Sequence, residues 1–298
     1  MMRIDAHAHA FWSPRIPYAP GRTPFLSAAE QIDFMDREGV DMAVLLPCGN
    51  AEAIAEVQGP DEIARIVERY PGRFLPFCYV DPRLTSTLYA SDAGYFEFVL
   101  QQYKDLGCRG LGEMTAKVWW DDPALWALFE ACERVGFPVT FHTSLTGSAD
   151  YGLIDEMGLP RLEKTLRRFP NVTFLAHSMG FWSEISGDVR PDDKAGYPTG
   201  PVRPGGVAVR LMREHPNVYG DLSANSGLNA LRRDPDFAWA FIDEFQDRLL
   251  FGLDRCSPND DRQHIAWFDA ARDAGRIDRT VYDKIMGENI VRLLGLEP

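Results

Sequence analysis

Eight short apolar runs recur along the chain, and each is followed by a longer segment with helical character. The runs are nearly continuous rather than alternating between apolar and polar residues, which is typical of parallel strands covered on both faces. They span residues 2–7, 40–46, 74–80, 108–113, 137–142, 172–177, 218–222 and 249–253. The pattern therefore predicts eight parallel strands.

The segments between these runs carry signals for helix starts and stops. Ser27 and Glu30 fit a capping box, and Asp122 followed by Pro123 supplies an N-cap with proline in the first helical position. Residues 155–169 and 236–245 have apolar side chains at helical spacing, and Gly or Pro precedes several of the next runs. We therefore predict that helices alternate with the strands.

Eight strand–helix units in 298 residues average about 37 residues each. This fits one closed (β/α)8 barrel of about 250 residues plus insertions. We predict a single TIM-barrel domain over residues 1–298. An open doubly wound sheet is the rival fold, but it usually carries a glycine-rich phosphate loop after its first strand, and here His-Ala-His-Ala-Phe-Trp follows instead.

Two connections depart from the short-loop pattern. Residues 11–26, after the first strand, are rich in Pro and Arg, and residues 178–206, after the sixth, are rich in Gly and Pro. Both leave the C-terminal end of a strand, which is the active face of such a barrel. We hypothesise that residues 178–206 form a lid or part of an oligomer interface.

Histidines concentrate at the C-terminal ends of the predicted strands. Four of the six lie there, namely His7, His9, His142 and His177. His7 and His9 are two residues apart on a strand, so both imidazoles point to the same side and can reach one metal ion. The other two, His215 and His264, lie in helical segments, where we expect surface or capping roles.

Two carboxylates also lie at the C-terminal ends of predicted strands. Asp254 comes directly after the last strand, where it can bind a metal and take a proton from water, or cap the next helix. Glu113 ends the fourth strand and can be a further ligand, bridge a second ion, contact substrate or pair with Lys117 or an arginine. Imidazoles with a carboxylate are the ligands of catalytic zinc sites.

Composition and charge narrow the class of protein. Lys and Arg number 31 against 44 Asp and Glu, a net charge of −13, which argues against a general nucleic-acid binder. No run of about 18 apolar residues predicts a membrane span, and the N-terminus lacks a secretory pattern, so we expect a cytoplasmic protein. The five cysteines are scattered, which predicts buried reduced thiols rather than disulfides or a thiolate zinc site.

Several short motifs, in this order, carry a family resemblance. They are IDAHAH at residues 4–9, FHT at 141–143, LAHSMG at 175–180, FGLD at 251–254 and GENIVRLLGL at 287–296. With these motifs the chain resembles the amidohydrolase superfamily over its whole length, in particular the amidohydrolase-2 branch. That branch includes aminocarboxymuconate-semialdehyde decarboxylase and related aromatic-acid decarboxylases.

The resemblance implies a distorted TIM barrel and a metal site. His7, His9, His142 and Asp254 would hold a divalent ion, most often zinc, with manganese or iron as alternatives. His177 would stand beside the ion as a proton donor or substrate orienter. The segment around Glu113 departs from the decarboxylase pattern, so the resemblance leaves one ion or two.

Four functions follow from these features. The first is a metal-dependent hydrolase of a small amide, ester or lactone, in which Asp254 and His177 are catalytic. The alternative is a metal-dependent, non-oxidative decarboxylase of a small aromatic or unsaturated carboxylic acid. A non-catalytic ligand-binding barrel and a metal-free lactonase fit less well, because the ligand set is complete.

Substrate contacts are harder to predict. Aromatic residues near the expected mouth can form either packing or a substrate wall; they are Phe11, Trp12, Trp119, Trp120, Phe181 and Trp182. Basic candidates are Arg15, Lys117, Arg190 and Arg203. From these we select Trp12, Lys117 and Trp119 as substrate-binding residues for a small molecule. Relatives often form dimers, so a homodimer is expected.

Overall fold

Nine parallel strands, counted over the described residues, form the centre of the protein. The computed structural model describes residues 2–50, 52–84, 92–194 and 196–297. The strands are β1 Ile4–Ala8, β2 Met42–Leu45, β3 Phe74–Pro76, β4 Leu111–Met114, β5 Val139–Leu145, β6 Leu153–Asp155, β7 Phe174–His177, β8 Val218–Asp221 and β9 Leu249–Leu250. All eight predicted strands are present, at slightly different bounds, and β6 is additional.

The strands pair in chain order around the barrel. One sheet has the order β1-β2-β3 and the other β4-β5-β7-β8-β9, with β6 beside β5. At one seam, the Cys78 N–H donates to the Gly110 carbonyl over 2.9 Å; at the other, the Ala6 N–H donates to the Phe251 carbonyl over 2.9 Å. Hydrogen bonds at both seams thus join the sheets into the predicted TIM barrel.

Helices cover the outside of the barrel. The helices are α1 Ala28–Glu38, α2 Pro60–Arg69, α3 Ala93–Asp105, α4 Pro123–Val135, α5 Pro160–Arg168, α6 Met179–Trp182, α7 Pro191–Lys194, α8 Val207–Glu214, α9 Ala224–Arg232, α10 Pro235–Phe245, α11 His264–Asp273, α12 Arg279–Asp283 and α13 Asn289–Leu294. A 3₁₀ turn spans Ser183–Ile185 and a π-helical turn spans Lys284–Glu288. The capping box at Ser27 and the Asp122 cap are confirmed.

The expected helix over residues 155–169 starts later than predicted. Asp155 closes β6, and its carboxylate accepts from the backbone N–H groups of Arg161 and Leu162 at 3.1 and 2.9 Å. The helix itself begins at Pro160. Asp155 therefore stabilises the first turn of α5, although it lies five residues before the first residue of that helix.

Residues 178–206 are more regular than the glycine and proline content indicates. The segment contains α6, the 3₁₀ turn and α7, although residue 195 lies outside the described part. Phe181, Trp182 and Ile185 are buried in the main core. The first half of the segment is therefore a structural layer of the barrel, not an irregular loop.

The burial of individual side chains tests the predictions for His264 and for the aromatic residues near the expected mouth of the barrel. His264 is fully buried, and its Nε2 lies 2.9 Å from the carbonyls of Leu222 and Ala224, so the surface prediction is wrong; His215 does end α8. The aromatic residues that prove to be core are Phe11, Trp120, Phe181 and Trp182.

Across the described residues, no helix has the length and apolar character needed to cross a bilayer.

Candidate metal centre

The carboxyl ends of the parallel strands bring the predicted site residues together. Six side chains from the ends of five strands face the same point of the barrel: His7, His9, Glu113, His142, His177 and Asp254. The rule that active residues follow the strands of a TIM barrel explains the convergence. The sequence-based prediction of a single cluster therefore agrees with the geometry.

His7 and His9 form the centre of this cluster. Their Nε2 atoms are 3.2 Å apart, as the alternation of side chains along β1 requires. On the far side of each ring, Nδ1 donates to an oxygen: that of His7 to Asp221 Oδ2 over 2.7 Å, and that of His9 to the Leu46 carbonyl over 2.9 Å. Both Nε2 atoms are thereby directed into the cluster, in the orientation that a metal ligand requires.

Glu113 lies between two sets of histidines. Its Oε2 is 3.7 Å from His7 Nε2 and 3.6 Å from His9 Nε2. Its Oε1 accepts from His142 Nδ1 over 2.8 Å and lies 3.7 Å from His177 Nε2. The two oxygens of one buried carboxylate thus face different nitrogen donors, so Glu113 is a member of the cluster and does not pair with Lys117.

Asp254 also presents both oxygens to the cluster. Its Oδ1 lies 3.4 Å from His9 Nε2 and 3.8 Å from His7 Nε2, and its Oδ2 lies 3.8 Å from His177 Nε2. The backbone places it there, because the Asp254 N–H donates to the His7 carbonyl over 2.8 Å. The N-cap alternative is not what this geometry shows, since α11 begins only at His264.

His177 stands at the inner side of the cluster. Its Nδ1 is 2.9 Å from Ser223 Oγ, which leaves Nε2 directed between Glu113 and Asp254. Burial and the positive charge on His7 lower the pKa of His177 to about 4. The ring is therefore neutral at pH 7 and offers Nε2 as an acceptor or ligand.

His142 is oriented differently from the other three. Its Nδ1 faces Glu113, while its buried Nε2 has no hydrogen-bond partner and lies 3.5 Å from Asp150 Oδ2. The ring of Tyr151 packs against it with centroids 4.4 Å apart. Nδ1 is therefore the ring nitrogen of His142 that faces Glu113, while Nε2 faces Asp150.

The electrostatic field of the cluster is negative. Burial favours the neutral ring of His7, but the charge and hydrogen bond of Asp221 outweigh it and raise the pKa of His7 to about 10. Asp150 and Glu113 likewise outweigh burial and raise the pKa of His142 to about 9. Four buried imidazoles among several carboxylates form a donor set that fits a divalent cation.

The sequence analysis missed four residues of this neighbourhood, namely Asp150, Asp221, Ser223 and Cys256. Asp221, the last residue of β8, orients His7 and lies 3.5 Å from His177 Nδ1; the strand-end rule applied to the other candidates could have found it. Cys256 Sγ lies 3.3 Å from Asp254 Oδ1. Cys78, Cys108 and Cys132 are buried free thiols as predicted, but Cys48 and Cys256 are partly exposed.

The three predicted substrate residues have partners outside the six-residue cluster. Trp12 is 39% exposed and packs under Arg65, and Trp119 packs under Arg161. Lys117 Nζ donates to the Ser148 carbonyl over 2.8 Å. Each therefore has a local partner, and their contact with substrate stays a prediction.

Comparison with known proteins identifies the family. The amidohydrolase family model matches residues 4–296, so the chain belongs to this amidohydrolase family. No curated protein gives a significant match.

Solved structures share the fold across their full length. An amidohydrolase from Burkholderia multivorans with bound zinc has 16% identity and a TM-score of 0.65, with 100% of each chain covered. A 2-pyrone-4,6-dicarboxylic acid hydrolase described from Acinetobacter baumannii, with citric acid bound, has 15% identity and a TM-score of 0.58, covering 99% of this chain and 100% of that one. 2,6-Dihydroxybenzoate decarboxylase in complex with 2,6-dihydroxybenzoate has 17% identity and a TM-score of 0.60, covering 99% and 98%. Similarity at this level establishes the barrel, and chemistry must be argued from the site.

Proposed function

We propose that this protein is a metal-dependent hydrolase that acts on a small amide, ester or lactone. The observation that carries the proposal is the position of Glu113. Its Oε2 faces His7 and His9, and its Oε1 faces His142 and His177. A carboxylate in this position can bridge two divalent ions, an arrangement used by many hydrolytic enzymes. Zinc is the metal that best suits this nitrogen and oxygen donor set.

The side chains of the cluster have separate roles in the proposed reaction. Bound ions would supply Lewis acidity and make a proton of water easier to remove. Asp254 is placed to accept that proton and return it to the leaving group, because its two oxygens face His9 and His177. His177, held by Ser223, is placed to orient the substrate carbonyl. Asp221 keeps His7 aligned.

Non-oxidative decarboxylation of a small carboxylic acid is the alternative, and structures of both kinds of enzyme share this barrel. That reaction requires a protonated side chain that delivers a proton to carbon. His177 is the candidate donor, but burial and the charge of His7 lower its pKa to about 4. The preference for hydrolysis rests on the position of Glu113, and decarboxylation stays the alternative.

The number of bound ions tests the bridging role of Glu113. Protein purified without chelator and reconstituted with zinc should hold two equivalents by plasma mass spectrometry, and His7→Ala/His9→Ala should lose at least one. Glu113→Gln should hold one or fewer. His215→Gln is the matched control, because it alters a separate outlying His/Glu group and should leave the count unchanged.

A single ion in the wild type that survives in Glu113→Gln would exclude the bridge and favour the decarboxylase. If the reconstituted wild type binds no metal, both metal-dependent reactions are excluded.

Substitution of Asp254 tests its role in proton transfer. On the best substrate from a panel of lactones, esters and amides, Asp254→Asn should lower kcat about 10²–10⁴-fold, the usual contribution of general acid–base catalysis. Asp261→Asn, an exposed neighbour on the same loop, should keep wild-type kcat. Metal content is measured in each variant. Carbon dioxide release from aromatic acids, with no hydrolysis across the panel, would show that the hydrolase proposal is wrong.

A further inference from the structure

Cys256 lies at the outer edge of the metal centre. Its Sγ is 3.3 Å from Asp254 Oδ1, and that same oxygen is 3.4 Å from His9 Nε2. One nitrogen, one oxygen and one sulfur, all within 4.8 Å of one another, form a group that could hold a metal ion. The other partly exposed thiol, Cys48, faces the opposite ring nitrogen of His9, with Sγ 3.6 Å from Nδ1.

Two of the three distances in this group match the edges of a coordination tetrahedron. Zinc bonds of about 2.0–2.1 Å to nitrogen and oxygen, and about 2.3 Å to sulfur, place neighbouring ligand atoms roughly 3.3–3.5 Å apart. The His9–Asp254 edge of 3.4 Å and the Cys256–Asp254 edge of 3.3 Å fall in this range. Both distances are compatible with a sulfur that shares an ion with Asp254.

The backbone around Cys256 is held in place from both sides. Its N–H donates to Asp260 Oδ2 over 2.8 Å, and its carbonyl accepts from the Leu26 N–H over 3.0 Å. Arg262 donates through Nε and Nη2 to the Asp254 carbonyl, at 3.2 and 2.7 Å. The loop thus presents the sulfur to the metal centre in a fixed position, as a ligand requires.

We propose that Cys256 is a sulfur ligand of the metal centre, bound through its thiolate to the ion that His9 and Asp254 hold. The inference rests on the proposed metal-dependent function. Binding releases the thiol proton to solvent and forms one metal–sulfur bond. A thiolate makes the site softer, so it selects zinc or cobalt over magnesium and manganese.

Cobalt substitution tests the inference through a spectrum rather than through activity. The chelated full-length protein, with its thiols reduced, is titrated with Co²⁺ under argon. Weak visible d–d bands report that the ion is bound to the protein, and an intense near-ultraviolet band reports sulfur-to-cobalt charge transfer. We expect both in the wild type and in Cys48→Ser, and loss of only the charge-transfer band in Cys256→Ser.

The possible failures are distinguishable. Visible bands without a charge-transfer band in the wild type, or a charge-transfer band that persists in Cys256→Ser, would overturn the sulfur ligand and leave the hydrolase proposal intact. In that case Cys256 is only a hydrogen-bond donor to Asp254. Absence of the visible bands at saturating Co²⁺ would overturn both proposals. Circular dichroism of each chelated variant establishes that it is folded.

Discussion

At the scale of single residues, the hydrogen bond that one ring nitrogen of a histidine makes determines the direction in which the other ring nitrogen points. Asp221 and the Leu46 carbonyl accept from Nδ1 of His7 and His9, so each Nε2 is presented to the cluster. The strand-end position of these histidines was predictable from the sequence. Their orientation was not, because it depends on an acceptor 214 residues away for His7 and 37 residues away for His9.

Proton release should accompany metal binding, and its sign follows from the raised pKa values. At pH 7 both His7 and His142, with pKa values of about 10 and about 9, are protonated and must lose a proton to bind an ion. In the chelated protein these rings stabilise the fold below pH 6.5, and this contribution is lost as pH rises through about 9–10. Metal binding strengthens over the same range.

The gap in Tm between zinc-loaded and chelated protein should therefore be larger at pH 8.5 than at pH 6. Differential scanning calorimetry measures it, and calorimetric titration in two buffers of different ionisation enthalpy counts the protons released. His7→Ala/His9→Ala serves as the control and should show little gap at either pH. A gap that shrinks with rising pH would contradict the argument.

At the scale of secondary-structure elements, features that depend on neighbouring residues could be predicted from the sequence. Features that depend on residues distant in the chain could not. The capping box at Ser27 and the Asp122 cap follow from neighbouring residues. Strand β6 has only three residues and exists because Leu153, Ile154 and Asp155 pair with the end of β5. Its sequence carries no periodicity long enough to indicate a strand.

The helical part of residues 178–206 depends on a buried ion pair. Lys194 Nζ lies 2.8 Å from Glu184 Oε1, both side chains are at most 2% exposed, and the Gly158 N–H also donates to Glu184. The pair fixes α7 to the 3₁₀ turn and to the segment before α5. Deleting residues 178–206 would thus remove core as well as any lid, so a test of the lid hypothesis requires smaller changes.

Lys194→Met should destabilise the fold by about 3–5 kcal/mol, because it leaves the Glu184 carboxylate buried without its partner. The free energy of unfolding, from urea denaturation, measures the change. Lys164→Met is the control: Lys164 pairs with Asp121 but is 59% exposed, and surface pairs contribute at most about 1 kcal/mol. Equal effects in the two variants would show that the Lys194 pair is not sheltered from water.

At the scale of the whole molecule, the barrel order could be predicted because buried parallel strands leave apolar runs in the sequence. The clustering of the candidate site residues could be predicted in outline for the same reason, since these residues follow those runs. The position of Cys256 could not be predicted in this way, because this residue does not directly follow a strand. It lies six residues beyond the end of β9, and hydrogen bonds to Asp260 and Leu26 place it beside Asp254.

The seam between the first and last strands has a consequence for fragments of this protein. His7 and Asp254 meet only because the Ala6 N–H reaches the Phe251 carbonyl and the Asp254 N–H reaches the His7 carbonyl. These two residues are separated by 247 positions, so a fragment that lacks either side of the seam does not contain the whole cluster. Closure of the barrel and assembly of the candidate metal centre therefore depend on the same hydrogen bonds.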